Sequence, residues 1–227
     1  MDVWAVLVAA GRGERLGGDR PKAFAALAGR PLLAESLERL DASNHIHAIV
    51  VVAPPDWEEP AILLAEELGA SKVSSVVTGG TRSRAESVRI GVGEVPAEAD
   101  AIVVHDAARP LVSDAVVGRV LAPLEKGWDG AVPGLAIKDT VKRAPGGTVS
   151  ETIDRADLYA VQTPQAFRAE PFRSALAATD EDATDCAAYL ERAGRRVAVV
   201  DGDPALRKVT DRADLEAVER LLGGDEP

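Results

Sequence analysis

The sequence predicts an α/β protein, a doubly wound and mostly parallel sheet with a projecting β-hairpin arm. Three observations predict it. Short runs rich in Val, Ile and Ala recur along the chain, amphipathic intervals separate them, and one stretch breaks the alternation. The strand candidates are "VWAVLVAA" from residue 3, "HAIVVVA" from 47, "KVSSVV" from 72, "AIVVH" from 101 and "VAVV" from 197. They are nearly continuous apolar runs, as expected of parallel strands covered by helices on both faces.

The intervals carry helical spacing. Leu33, Leu37 and Leu40 follow Pro31; Val117, Val120, Leu121 and Leu124 follow Ser113; Leu215, Val218 and Leu222 follow Thr210. Each set lays an apolar stripe on one helix face, and Gly127 and Gly223 stand where C-caps belong. The exception is the stretch 136–160, in which Pro145-Gly146-Gly147 separates the extended segments "DTVKR" and "GTVSETI". A turn signal between β-prone segments predicts a hairpin, here an arm suited to act as a lid or a dimer contact. Residues 1–227 are expected to form a single domain with 136–160 as its arm, and the acidic "GGDEP" end is expected to fray.

Composition restricts the function. A formal net charge of −11 argues against general binding to nucleic acid or to an anionic membrane surface, so an anionic substrate requires a locally basic site. One cysteine, Cys186, excludes an intramolecular disulfide framework and a multi-cysteine zinc site, which fits a reducing, cytoplasmic location. The apolar run from Val3 to Ala10 is too short to span a bilayer and is expected to be a buried strand. His45, His47 and His105 fall in no Ser-His-Asp or metal-ligand pattern.

The basic site has a candidate in "AAGRGERLGGDRPK", directly after the first strand. Ligands of open α/β sheets bind beyond the carboxyl ends of the strands, and Gly11 and Gly13 let backbone N–H groups approach an anion. The loop is not a dinucleotide fingerprint, because Leu16 occupies the third glycine position. Nor is it a Walker loop, because Lys22 follows Pro21 and precedes no Ser or Thr. What it does contain is Arg12, Arg15, Arg20 and Lys22 against Glu14 and Asp19.

This loop resembles the signature of nucleotidyltransferases. With "RAESV" (84–88), "VHDAARP" (104–110), "KDTVKR" (138–143), "TIDRADLYAVQTPQAF" (152–167) and "LRKVT" (206–210), the chain resembles the 2-C-methyl-D-erythritol 4-phosphate cytidylyltransferase family over nearly its whole length. The resemblance implies a Rossmann-like nucleotidyltransferase fold and a homodimer formed through the arm. It also implies CTP and methylerythritol phosphate as substrates, and Mg²⁺ or another divalent cation as cofactor.

Residue by residue, the resemblance implies that Arg15 and Lys22 stabilise charge on the α-phosphate in the transition state. Ala9, Ala10, Gly11, Arg12, Gly13 and Lys22 would line the triphosphate and base site, with Gly80, Arg84 and Ser87 near the cytosine and Asp106 and Ala107 completing it. Asp106 would also orient a metal-bound water or a substrate hydroxyl. Arg109, Thr140, Arg155, Thr163, Thr184 and Lys208, together with Asp106, would hold the acceptor, Arg155 and Lys208 by its phosphate. An arginine suits a bidentate phosphate clamp and a lysine a point charge. The family usually has Asp and Ser where this chain has Cys186 and Ala188. Two other functions remain open: a ribitol-5-phosphate cytidylyltransferase, and a nucleotide-binding protein without catalysis.

Overall fold

The computed structural model describes residues 1–11, 13 and 20–223. Its strands are β1 (Val3–Val8), β2 (Ala26–Leu27), β3 (Arg30–Pro31), β4 (Ala48–Ala53), β5 (Val73–Thr78), β6 (Ala101–Asp106), β7 (Gly130–Ala136), β8 (Val141–Arg143), β9 (Glu151–Ile153), β10 (Tyr159–Val161), β11 (Gln165–Arg168) and β12 (Val197–Asp201). Between them run α1 (Leu32–Asp41), α2 (Glu58–Glu67), α3 (Arg84–Gly93), α4 (Asp114–Glu125), α5 (Ala169–Ala177), α6 (Ala187–Arg192) and α7 (Arg212–Leu222). Among the described residues no helix is long and apolar enough to cross a membrane.

The main sheet has the order β10-β7-β11-β6-β1-β4-β5, with β12 also paired to β7. Strands β6, β1, β4 and β5 run parallel, while β11 inserts antiparallel between β6 and β7. All six residues of β6 are buried, which makes it the centre of the layer.

Strand alternation explains the two-sided core. Ala5, Leu7, Ile49 and Val51 face α1 and α4, meeting Leu33, Leu37, Val117 and Val120. Their neighbours Val6, Val50, Val52 and Val104 point the other way, toward Val88 of α3, Phe172 of α5 and Leu190 of α6. Successive strand residues point to opposite faces, so these runs supply both cores at once.

The arm is a separate two-stranded ribbon. Val141, Lys142 and Arg143 of β8 pair antiparallel with Ile153, Thr152 and Glu151 of β9. Gly146 and Gly147 turn the chain with φ of 60° and 82°, a region that favours glycine. At the base of the ribbon β10 pairs with β7. Helix α7 follows Thr210 and starts at Arg212, where the carboxylate of Asp211 accepts from the Asp214 N–H and caps it. The rest of the "GGDEP" end, beyond Gly223, lies outside the described residues.

Candidate active site

Loops that follow β1, β5 and β6 meet at the carboxyl edge of the sheet. Ala9, Ala10 and Gly11 leave β1, Gly80 to Arg84 leave β5, and Asp106, Ala107 and Ala108 leave β6. With Lys22 and Lys208 they enclose a cavity of about 300 Å³. Two glycines let the backbones converge. At Gly79 a Cβ would lie 2.3 Å from the Ala10 Cβ, and at Gly13, with φ of 71°, it would lie 2.4 Å from the Lys22 Cβ. The absence of a side chain at Gly13 therefore permits its close approach to Lys22.

Asp106 organises the charges. Its Oδ1 accepts from Arg84 Nε at 2.8 Å and lies 2.7 Å from Arg84 Nη2, while Lys208 Nζ donates to Oδ2 at 2.7 Å. Burial would raise the Asp106 pKa, but the two cations win and hold the carboxyl well below the usual carboxylate range. Burial likewise opposes the charge on Arg84, and Asp106 more than restores it. One buried anion thus holds two cations at the cavity wall, leaving a local excess of positive charge in an acidic protein. The third donor of Arg84, Nη1, reaches the buried Cys186 Sγ at 3.4 Å, and burial pushes that thiol's pKa up. A neutral sulfur there leaves the guanidinium charge to Asp106.

The turn carrying Asp106 is held from behind. His105 Nε2 lies 3.0 Å from the Arg109 carbonyl, which can only accept, so Nε2 carries the proton and Nδ1 accepts from Thr163 at 3.2 Å. The Thr163 Oγ1 in turn accepts the Asp106 N–H at 3.1 Å. Ser36 donates to the Ala107 carbonyl, and Val209 N–H to the Ala108 carbonyl. The carbonyls of residues 106–109 all have protein donors, so their negative ends are spent on the scaffold.

His105 is fully buried, and burial pushes its pKa down to about 4 against a neighbouring carboxylate that raises it. The unfolded chain takes up this proton near pH 6.5 and the folded chain only near 4, so the unfolded state binds more protons between those values. Stability should fall as pH drops through that window, by about 2 kcal/mol at pH 5. Urea denaturation at pH 7 and pH 5 measures it. His105→Gln should flatten the dependence, and an unchanged slope would assign it to other groups.

Apart from Gly13, which packs against Lys22, the sequence-predicted residues divide into four groups. Ala9, Ala10, Gly11, Lys22, Gly80, Arg84, Ser87, Asp106, Ala107 and Lys208 line the cavity. Thr163 is 5% exposed and supports Asp106 from beneath, while Arg109 donates to the Leu206 carbonyl at the start of the Lys208 segment. Thr184 is exposed outside the cavity lining, and Thr140 and Arg155 are exposed on the arm. Arg12 and Arg15 lie outside the described residues.

The sequence reading missed Val8, Ala23, Pro55, Thr81, Arg82, Ser83 and Ala108 in the lining. For Ser83 a signal existed: Ser83 to Glu86 has capping-box spacing, and Ser83 Oγ does accept the Glu86 N–H at 3.1 Å.

Among the described residues no group of three His, Cys, Asp or Glu side chains could hold a metal. A single carboxylate whose oxygens already accept from two cations does not make a metal cage. It does fit Mg²⁺ carried mainly by phosphate oxygens and water, the usual manner for nucleotide sites.

A parallel-sheet edge that brings Gly11, Lys22 and a carboxylate flanked by two cations to one cavity is the setting of a nucleotidyltransferase site. Residues 3–223 match the family model IspD, 2-C-methyl-D-erythritol 4-phosphate cytidylyltransferase, and the chain belongs to that family. It is 44% identical over 221 residues to the 2-C-methyl-D-erythritol 4-phosphate cytidylyltransferase of Nocardia farcinica, covering 97% of this chain and 94% of that one. It is 42% identical over 225 residues to the bifunctional enzyme IspD/IspF of Rhodospirillum rubrum, covering 98% of this chain and spanning 58% of that longer protein. The crystal structure of the Thermus thermophilus cytidylyltransferase superposes with a TM-score of 0.78 at 30% identity, covering 96% of this chain and 98% of that one.

Proposed function

We propose that this chain transfers a cytidylyl group from CTP to 2-C-methyl-D-erythritol 4-phosphate, giving 4-diphosphocytidyl-2-C-methyl-D-erythritol and pyrophosphate in isoprenoid precursor biosynthesis. The observation that carries the reading is the convergence of Lys22, Arg84, Asp106 and Lys208 on one cavity at the carboxyl edge of the sheet. An acceptor phosphate monoester has its second pKa near ~6 and is largely dianionic at neutral pH, so the reaction requires no general base. The neutral, buried His105 is consistent with that.

In the step itself, an oxygen of the acceptor phosphate forms a bond to the α-phosphorus of CTP while the α–β bridging bond breaks and pyrophosphate leaves with its electron pair. The protein has to bring two polyanions together and balance the charge that grows on the α-phosphate. Lys22, with Arg15 of the same loop, takes that charge. Lys208 and Arg109 hold the acceptor, and Gly80, Arg84 and Ser87 border the base and ribose. Mg²⁺, when bound to the triphosphate, would compensate the charge of the leaving pyrophosphate, and Asp106 would face it through water.

The reading extends to the assembly: one cytidylyltransferase domain over 1–227, working in the cytoplasm without nucleic-acid or membrane partners, dimerising through the arm 136–160. Thr140 and Arg155 are exposed on the arm of a single chain, which favours their serving the site of the partner subunit. Ribitol 5-phosphate is the acceptor to exclude. Pyrophosphate release from CTP should be fast with methylerythritol phosphate and slow with ribitol phosphate; the reverse preference would overturn the substrate assignment.

A further inference from the structure

Lys208 sits in a segment without regular structure, between the short 3-10 turn Pro204–Leu206 and α7. A flexible four-carbon side chain on an irregular backbone needs anchors if its ammonium is to be placed reliably. One is Val209, fully buried with Leu27, Leu32, Leu111 and Val218, its N–H donating to the Ala108 carbonyl at 2.8 Å. The other is Asp214, 8% exposed in the first turn of α7.

Asp214 gathers donors from both sides of Lys208. Its Oδ1 accepts from Arg207 Nε at 2.8 Å, and its Oδ2 accepts from the Thr210 N–H at 2.9 Å, the Thr210 hydroxyl and the Asp211 N–H at 3.3 Å. The capping box of α7 needs only the bond back to the Asp211 N–H. The bonds to Arg207 and Thr210 lie outside that requirement, and together they close the chain around residue 208.

We propose that Asp214 is a positioning residue for Lys208: its carboxylate, bonded by Arg207 and Thr210, fixes the segment that presents the Lys208 ammonium to the cavity. The proposal rests on the function given above for the Lys208 site.

A double-mutant cycle on the full chain tests it, with CTP saturating and methylerythritol phosphate varied. Asp214→Asn should lower kcat/KM for the acceptor at least about tenfold while the KM for CTP stays within about twofold. In a Lys208→Ala background the same substitution should add less than about twofold, because coupled residues are not additive. Losses that multiply, or that fall equally on both substrates, would assign Asp214 a purely structural role. Thr210→Val, which removes one donor and keeps the size, should move the acceptor KM in the same direction to a smaller extent; an unchanged value would count against the proposal.

Hydrogen exchange at the Val209 amide reads the same point without substrate. Asp214→Asn should speed it at least about tenfold with β6 amides unchanged, and unaltered protection would overturn the proposal. Failure of the wild-type chain to turn over either acceptor would instead count against the proposed function, and the exchange measurement would still decide the role of Asp214.

Discussion

Lys22→Ala is expected to lower kcat at least about 10²-fold, the cost of removing one preorganised charge from a developing oxyanion. The cation lines the cavity beside the loop that leaves β1, and the close fit of Gly13 against its Cβ sets its backbone. Its interaction should strengthen as negative charge accumulates on the α-phosphate, so kcat should suffer more than the KM for CTP. A turnover within about twofold of wild type would remove Lys22 from the mechanism.

The same variant tests the arm. If Arg155 works in the partner subunit's site, mixing Lys22→Ala with Arg155→Ala chains restores one complete site per heterodimer. Statistical exchange in a twofold dimer then returns about one-quarter of wild-type activity. No recovery would mean that each site is built within one chain.

Asp106→Asn should be the second large effect, and it should appear in activity and in stability. Among the described residues this carboxylate is the anion that both Arg84 and Lys208 pair with, and it is 6% exposed. Its neutral isostere leaves two cations facing each other across a partly buried site. Both keep some solvent access, so the expected loss is about 2 kcal/mol, below the roughly 3–5 kcal/mol of a fully buried pair. Activity should drop about 10²-fold as both cations lose their placement. The Thr163 bond to the Asp106 N–H survives the change, so the variant should fold and the urea midpoint should report the charge loss alone. Wild-type activity with a lowered midpoint would reduce Asp106 to a structural ion pair.

Much of the site was legible in the residues because it lies where strands end. A strand followed by glycines and a break in periodicity marks a carboxyl-edge loop, and that pattern pointed to Gly11, while Ala9, Ala10 and Asp106 were placed by the resemblance to the family's motifs. The family motif "RAESV" placed Arg84 and Ser87 by resemblance, and both line the cavity. Thr163 was legible as a motif residue, but its place beneath Asp106 was not, because β11 reaches β6 only by inserting antiparallel into a parallel layer. His105 was passed over for lack of a catalytic partner in sequence; its partners are Thr163, 58 residues away, and a carbonyl. Asp214 reads as one more charge in an amphipathic helix until Arg207 and Thr210 close on it.

The sequence by itself determined the two-faced core, the helices over it and the hairpin. These depend on local periods of two and 3.6 residues and on turn residues such as Gly146 and Gly147, which act over a few positions. Only the tertiary structure decided which charges meet. Asp106 joins Arg84 from 22 residues away and Lys208 from 102, and whether those groups form ion pairs depends on distances of a few ångströms that no local pattern encodes. Strand order at the carboxyl edge brings those cations together, and burial makes one carboxylate sufficient to hold them.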